Sequence, residues 1–314
     1  MSRSLISISD LTDAEIEKIL DLSKVFAEVN SREIPKVPAL KGKTVATLFF
    51  ENSTRTRLSF ELAASRLSAD VITFSVAGSS VAKGESLRDT AETIESLGAD
   101  LIVMRHPSSG SVKLVSEWLR VPMVNAGDGA FQHPTQGLLD AVTLIEHFKS
   151  ENNLNGVRIG IIGDVIHSRV ARSNIQLMSR LGAEVVLVGP PAFLPSDIST
   201  WPVKVSYSLD EVLPELDVLY LLRIQSERFS DAVLPSLADF SSSYLLSRDR
   251  LKRARKDAVV MHPGPVIRGV EIAHEIVDSE RSLIRRQVEN GVPVRMAVLY
   301  WLLAANEGKL DPAW

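Results

Sequence analysis

The sequence predicts an α/β protein built from two doubly wound parallel-sheet domains. Short, strongly apolar segments alternate with amphipathic helical segments along almost the whole chain, and strands this apolar are typical of parallel sheets covered on both faces. A polar stretch at 150–156 interrupts the pattern, which then starts again. With 314 residues, 45% of them apolar, the chain is long enough for two domains that each bury a core.

The predicted elements follow the period of the apolar residues. In the first half, strands are predicted at 43–50, 71–76, 101–105 and 121–125, and helices at 54–68, 87–97, about 110–119 and about 135–149. In the second half, a helix is predicted at about 168–181, and strands at 157–163, 184–189, 204–207, 217–223 and 258–262. The last helical run, about 280–306, contains Pro293, which predicts two helices or a kink.

Composition narrows the class of protein. A formal charge of −4 and a pI near 5.9 argue against a protein that binds nucleic acid or a membrane surface. The absence of cysteine excludes disulfides, thiol nucleophiles and cysteine-ligated zinc within the chain. The N-terminal segment lacks the apolar run of a signal peptide, and no apolar stretch approaches a membrane span, which needs about 18 residues. We therefore expect a cytoplasmic protein.

The turn from Ser53 to Arg57 is the strongest functional signal. It stands where a helix begins after a buried strand, and a helix start favours negative charge because its first backbone N–H groups are unpaired. The first turn carries Arg55 and Arg57 instead, and no carboxylate follows before Glu61. Three hydroxyl side chains in the same turn add further donors. A phosphate group would satisfy these donors and cations together, so the turn predicts a site for a small phosphorylated ligand.

Three arginines follow the ends of predicted strands, where ligands bind in doubly wound sheets. Arg105 ends the third strand, where it would place a second cation on the same anion. Arg169 follows the fifth strand, and Arg223 leaves the eighth strand with Gln225 on the same side. A guanidinium group at that position suits a carboxylate, which it holds in two bonds. Considered alone, each arginine is also compatible with an ordinary solvated position.

Three further segments fit either a functional or a purely structural role. Lys83 lies in a loop of small residues, where it either swings toward a ligand or stays solvated. His133 and Gln136 open the long helix of the first half, and His133 either caps that helix or donates to a carbonyl oxygen. The turn with Gly264 and Pro265 either offers carbonyl groups to an amine or only reverses the chain.

A nucleotide cofactor is not predicted. Gly160 and Gly163 follow a strand and precede a helix, but their spacing differs from the dinucleotide fingerprint and no third glycine stands at the helix entry. We interpret this segment as a tight strand-to-helix turn.

Together these segments resemble the transcarbamoylase family. The match extends over nearly the whole chain in the family's order, and it rests on the segments 50–61, 83–86, 133–137, 262–265 and 268–272. The resemblance implies transfer of the carbamoyl group from carbamoyl phosphate to the amine of L-aspartate, a step of pyrimidine biosynthesis. It also implies that the reaction uses no metal and no organic cofactor.

The resemblance further implies a domain organisation and an assembly. An interdomain active site would lie between a carbamoyl-phosphate-binding domain, 1–136 plus 291–314, and an aspartate-binding domain, 137–290. The chain would form a homotrimer with shared active sites, to which a regulatory chain or a dihydroorotase can bind.

By position, the resemblance assigns the candidate residues to the two substrates. The carbamoyl phosphate set is Ser53, Thr54, Arg55, Thr56, Ser80, Arg105, His133, Gln136, Gly264 and Pro265. The aspartate set is Lys83, Arg169, Arg223 and Gln225. The expected catalytic residues are Arg55, Thr56, Lys83, Arg105 and His133. Ser80 and Lys83 would come from the neighbouring subunit.

Within these sets the roles differ. Thr56, Arg105 and His133 would polarise the carbamoyl oxygen, and Gln136 with the backbone at 264–265 would contact the carbamoyl amine. One departure is the pair Val266-Ile267, because many relatives have asparagine before the arginine in this loop. The resemblance therefore implies no particular contacts for this loop.

The sequence disfavours three other functions. Ornithine-specific transcarbamoylases use cysteine in two motifs where this chain has Thr135 and Pro263, and the cationic side chain of ornithine does not suit Arg223. A catalytically silent paralogue that only binds phosphometabolites is disfavoured by the intact set of arginines and histidine. A nucleotide-dependent kinase would need a G-x-x-x-x-G-K-[ST] loop, which the sequence lacks.

Overall fold

The computed structural model describes residues 3–75, 84–224 and 237–305, which form two compact units. Unit 1 comprises Met1–Val142 and Val288–Trp314, and unit 2 comprises Thr143–Gln287. Each unit is built around one sheet whose paired strands run parallel. The predicted fold class, two parallel-sheet α/β domains, is confirmed.

The strands and helices alternate as the apolar pattern predicts. The strands of unit 1 are β1 (Thr44–Phe49), β2 (Asp70–Ser75), β3 (Leu101–His106) and β4 (Met123–Asp128). Those of unit 2 are β5 (Arg158–Ile162), β6 (Glu184–Val188), β7 (Lys204–Ser206), β8 (Val218–Leu221) and β9 (Val259–Met261). The α-helices are α1 (Asp13–Ser31), α2 (Thr54–Arg66), α3 (Leu87–Ser96), α4 (Ser111–Ser116), α5 (Pro134–Phe148), α6 (Arg169–Arg180), α7 (Leu209–Val212), α8 (Leu237–Tyr244), α9 (Arg248–Arg253), α10 (His274–Val277) and α11 (Ile284–Ala305).

The strand order of unit 1, β2-β1-β3-β4, changes direction at β1. Because β1 pairs with both β2 and β3, the connections after β1 and β3 diverge and leave a crevice at the carboxyl ends of these strands. Phe49, the last residue of β1, lies opposite Arg105 of β3. The start of α2 and the side chain of Arg105 therefore both belong to this switch point.

Unit 2 repeats the arrangement with the order β7-β6-β5-β8-β9. Here β5 pairs with both β6 and β8, and Ile162 at the end of β5 lies opposite Leu221 at the end of β8. The segments that lead to Arg169 and Arg223 therefore leave the sheet at its own switch point.

Helix α11 corrects one prediction. It runs for 22 residues with Pro293 inside it, so the alternative of two separate helices is wrong. A proline inside a helix removes one backbone hydrogen bond and costs about 3 kcal/mol. The stretch after it, from Val294 to Ala304, is buried throughout. Burying one apolar side chain contributes about 1.5–3 kcal/mol, so packing outweighs the cost of the proline.

Packing explains Gly160 and Gly163. A Cβ atom on Gly160 would meet Leu216 Cδ1 at 2.4 Å, and Gly163 has a φ of 119°, which side chains rarely adopt. Both glycines therefore serve the close approach and the turn at the end of β5. None of the helices in the described ranges has a stretch both long and apolar enough to cross a bilayer.

Candidate active site

Helix α2 begins at the carboxyl end of β1 without local compensation for its positive end. Ser53 is the N-cap residue, but its side chain caps no backbone N–H, and the first turn contains no acidic residue. Within the described residues, the N–H groups of Thr54, Arg55 and Thr56 donate to no acceptor. Helices α1, α3, α6 and α9, by contrast, each have a side-chain cap. The start of α2 thus presents donors and partial positive charge together.

Arg55 is the available cation of this turn. Its guanidinium makes no hydrogen bond or ion pair within the part of the chain that the structure describes. Partial burial lowers the pKa of Arg55, yet an arginine keeps its charge at neutral pH. Arg57 instead approaches a carboxylate of its own helix, with 3.8 Å between Nε and Oε1 of Glu61. Of the two arginines, Arg55 is therefore the better placed for an external anion.

Arg105 is already engaged at the end of β3. Its Nη2 donates to Oε1 of Glu51 at 2.9 Å, and its Nη1 donates to the carbonyl of Ala126 at 3.3 Å. The register between β3 and β4 shifts between Met104 and His106, and such an irregularity re-aims a side chain. Glu51 therefore neutralises part of the charge that Arg105 brings to the crevice.

His133 and Gln136 stand at the start of α5, and both side chains are buried. The His133 carbonyl accepts from the N–H of Gln136 at 2.9 Å. Oδ1 of Asp128 accepts from Nδ2 of Asn125 at 2.8 Å and from the N–H of Gln132 at 3.2 Å. Asp128 thereby fixes the segment that delivers His133 to the helix start.

In unit 2, two arginines follow the carboxyl ends of β5 and β8. Arg169 is the first residue of α6, whose N-cap Ser168 accepts from the N–H of Ala171 at 3.1 Å. The Arg169 side chain is buried, and Arg223, two residues beyond the end of β8, is half-buried. Because β5 and β8 are parallel neighbours, both arginines follow the sheet at the carboxyl ends of its strands.

The turn after β9 is held by a buried pair, His262 and Glu271. The N–H of Gly264 donates to Nδ1 of His262 at 2.8 Å, so Nε2 carries the ring proton and donates to Oε1 of Glu271 at 3.1 Å. The N–H of Ile267 donates to the same carboxylate oxygen at 2.6 Å. Val266 packs against the apolar core of unit 2. These contacts fix the backbone next to the turn, and the packing of Val266 accounts for one residue of the apolar pair at 266–267.

The structure places most of the predicted residues in two groups. Unit 1 contains Ser53, Thr54, Arg55, Thr56, Arg105, His133 and Gln136. Unit 2 contains Arg169, Arg223, Gly264 and Pro265. Ser80, Lys83 and Gln225 lie outside the described residues. In the described ranges, no group of three or more side chains is arranged to hold a metal ion.

Two carboxylates that bond to predicted residues are not predicted from the sequence. Asp140 accepts from Nε2 of Gln136 at 3.0 Å, one helical turn away. Its i, i+4 spacing on a largely apolar helix is a signal that could have identified it. Glu51 has no spacing that points to Arg105, because the contact depends on the pairing of β1 with β3.

Comparison with protein families decides where the chain belongs. Residues 3–146 match the model of the carbamoyl-P binding domain of aspartate/ornithine carbamoyltransferases. Residues 155–302 match the model of the Asp/Orn binding domain of the same family. The chain belongs to the aspartate/ornithine carbamoyltransferase family.

Individual carbamoyltransferases resemble it over almost their whole length. The aspartate carbamoyltransferase catalytic subunit of Thermobifida fusca is 52% identical over 299 residues, which cover 95% of each chain. The catalytic subunit of M. jannaschii aspartate transcarbamoylase has a TM-score of 0.85 and 40% identity, covering 98% of this chain and 99% of its own. The Trypanosoma cruzi aspartate transcarbamoylase in complex with carbamoyl phosphate and aspartate has a TM-score of 0.86 and 33% identity, covering 95% and 96%. The predicted resemblance to the transcarbamoylases is confirmed.

Proposed function

We propose that this chain is the catalytic chain of an aspartate carbamoyltransferase. It transfers the carbamoyl group of carbamoyl phosphate to the amine of L-aspartate, giving N-carbamoyl-L-aspartate and phosphate in pyrimidine biosynthesis. The proposal rests on the start of α2 at a switch point of the sheet, where N–H groups that have no acceptor among the described residues belong to the same turn as Arg55. The aspartate carbamoyltransferases that it resembles support the choice of substrates.

Carbamoyl phosphate binds through its phosphate group at the start of α2. The N–H groups of Thr54, Arg55 and Thr56 and the hydroxyl of Ser53 donate to the phosphate oxygens, and the Arg55 guanidinium balances their charge. The same contacts stabilise the departing phosphate, which carries more negative charge than the phosphate group of the mixed anhydride that it leaves. Arg105 also binds the phosphate once its ion pair with Glu51 is broken.

The transfer step is an acyl substitution. The amine nitrogen of aspartate forms a bond to the carbamoyl carbon, and the bond between that carbon and the phosphate oxygen breaks. Negative charge develops on the carbonyl oxygen, where Thr56, Arg105 and His133 donate, and a fixed donor of this kind typically contributes about 10²–10³-fold in rate. The amine proton passes to the departing phosphate or to Lys83 in its neutral form. Holding both substrates together lowers the barrier further.

The arginines of unit 2 hold aspartate. Arg169 and Arg223, with Gln225, bind its two carboxylates, because a planar guanidinium accepts a carboxylate in two parallel bonds. The fixed turn at Gly264 and Pro265 offers backbone carbonyls to the carbamoyl amine. The substrate must therefore carry two negative groups in addition to its nucleophilic amine.

The choice between amino acids is tested by measuring the carbamoylated product with L-aspartate and with L-ornithine. We expect turnover with L-aspartate and none with L-ornithine, since the cationic side chain of ornithine would face the arginines that bind the second carboxylate. A preference for ornithine would overturn the substrate assignment. No product with either amino acid would favour a catalytically silent paralogue.

We also propose a cytoplasmic homotrimer with shared active sites. Ser80 and Lys83 would then act on the substrate of the neighbouring subunit, and a regulatory chain or a dihydroorotase would be a further partner. The mass of the native particle tests the assembly. We expect about three times the 34.4 kDa chain mass for the isolated particle, whereas a monomer that turns over at the full rate would contradict the shared site.

A further inference from the structure

Gln136 forms a hydrogen bond with a buried carboxylate of its own helix. Its Nε2 donates to Oδ1 of Asp140 at 3.0 Å, and Asp140 is 0% exposed. A carboxylate that is buried so completely needs positive charge nearby to remain ionised. The positive charge that interacts with it is Arg295 on α11, whose protonated form Asp140 favours.

Arg295 is a fixed cation. Its Nη1 donates to Oγ of Ser59 at 2.7 Å and to the carbonyl of Gly291 at 3.2 Å. The guanidinium carbon lies 5.0 Å from the ring centroid of Phe60, a cation–π distance. Burial lowers the pKa of Arg295 to about 10, against the opposing effect of Asp140. Arg295 therefore stays charged at neutral pH and keeps positive charge beside Asp140.

The bond to Asp140 determines which way the Gln136 amide faces. An ionised carboxylate only accepts hydrogen bonds, whereas a carboxamide has one donor end and one acceptor end. Gln136 must therefore turn its NH₂ group to Asp140, which leaves Oε1 on the other side. Within the described residues, this oxygen accepts no hydrogen bond. Oε1 is therefore an acceptor at the start of α5, where the proposed function places the carbamoyl amine.

We propose that Asp140 and Arg295 are positioning residues that make the site selective for an acyl phosphate with an amino group. The inference rests on the proposed function. The NH₂ group of carbamoyl phosphate donates to Oε1 of Gln136, whereas the methyl group of acetyl phosphate has a similar shape and cannot donate. A site built to bond a substrate N–H rejects an analogue that lacks it, because its own polar atom is left unpaired. If the Gln136 amide were reversed, its NH₂ group would face the NH₂ group of carbamoyl phosphate, and the site would lose this preference.

The test compares the equilibrium binding of carbamoyl phosphate and acetyl phosphate to the full chain and to Asp140→Asn. Asparagine keeps the shape but presents either its oxygen or its NH₂ to Gln136, so the amide is no longer fixed. The ratio of the two dissociation constants, acetyl over carbamoyl, is expected to fall about tenfold. Inorganic phosphate, which has no acyl group, is expected to bind both forms equally.

Glu146→Gln is the matched control. It removes an acid of the same helix whose Oε2 accepts from Nε of Arg286 at 2.9 Å, and it is expected to leave the ratio unchanged. Asp140→Asn also leaves Arg295 without its counter-charge, which destabilises the fold. The double variant Asp140→Asn/Arg295→Met removes both charges and is expected to show the same fall in the ratio.

A cycle with Gln136 separates positioning from a general structural effect. In a Gln136→Ala background, Asp140→Asn is expected to change the ratio by less than about twofold, because the amide that it orients is gone. An unchanged ratio in both Asp140 variants, with aspartate carbamoylation intact, would overturn this inference alone. Failure of the unaltered chain to bind carbamoyl phosphate would overturn the proposed function and this inference with it.

Discussion

Replacing Arg55 by alanine is expected to lower kcat by about 10³-fold and to leave the chain folded. The Arg55 guanidinium has no hydrogen-bond or ion-pair partner within the described residues, so its removal breaks no such interaction there. The bound phosphate, by contrast, loses the cation that balances it as the carbamoyl–phosphate bond breaks. Steady-state kinetics with carbamoyl phosphate and L-aspartate measure the loss, and thermal unfolding verifies the fold.

Arg57→Ala provides the control for Arg55, because it removes the same charge from the same helical turn. Its guanidinium approaches Glu61 of α2, so a much smaller loss of kcat is expected. Equal losses in the two variants would mean that only the general positive potential matters. Unchanged turnover in Arg55→Ala would refute the role assigned to this helix start.

Replacing Arg223 by alanine is expected to raise the KM for L-aspartate by about 10²-fold. A hydrogen bond to a charged group contributes about 1.5–3 kcal/mol, and the guanidinium is proposed to make two of them to one carboxylate of aspartate. Arg223→Lys keeps the charge but loses the planar pair of donors, so its KM for L-aspartate is expected to lie between those of the alanine variant and the unaltered chain. The measurement is the dependence of rate on aspartate concentration at saturating carbamoyl phosphate.

The same variants test whether Arg223 acts on aspartate alone. Binding of carbamoyl phosphate in the absence of aspartate is expected to be unchanged in Arg223→Ala, since the proposed phosphate site at the start of α2 belongs to unit 1. A variant that loses affinity for carbamoyl phosphate while its aspartate KM stays constant would contradict the assignment.

The alternation of apolar strands and amphipathic helices was enough to predict both sheets. The predicted strand at 43–50 and the predicted helix at 54–68 match β1 and α2 to within two residues at each end. Local periodicity is informative here because parallel strands buried on both faces have few polar residues. Pro293 shows the limit of a prediction from local sequence, because local propensity opposes a continuous helix here and tertiary packing stabilises one.

One part of the candidate site could likewise be predicted from the sequence, and another part could not. The cation-rich start of α2 could be recognised from five consecutive residues, because the helix end and its side chains are neighbours in the chain. The ion pair of Arg105 with Glu51 and the electrostatic interaction of Asp140 with Arg295 could not, since they join residues far apart in sequence. They arise only once strand pairing and helix packing bring these residues together.

The most direct test of the central claim is a crystal structure of the protein soaked with carbamoyl phosphate. We expect the phosphate group within hydrogen-bond distance of the N–H groups of residues 54–56, with the Arg55 guanidinium bonded to its oxygens. A phosphate bound elsewhere, or an Arg55 paired with a carboxylate of the protein in that crystal, would contradict it.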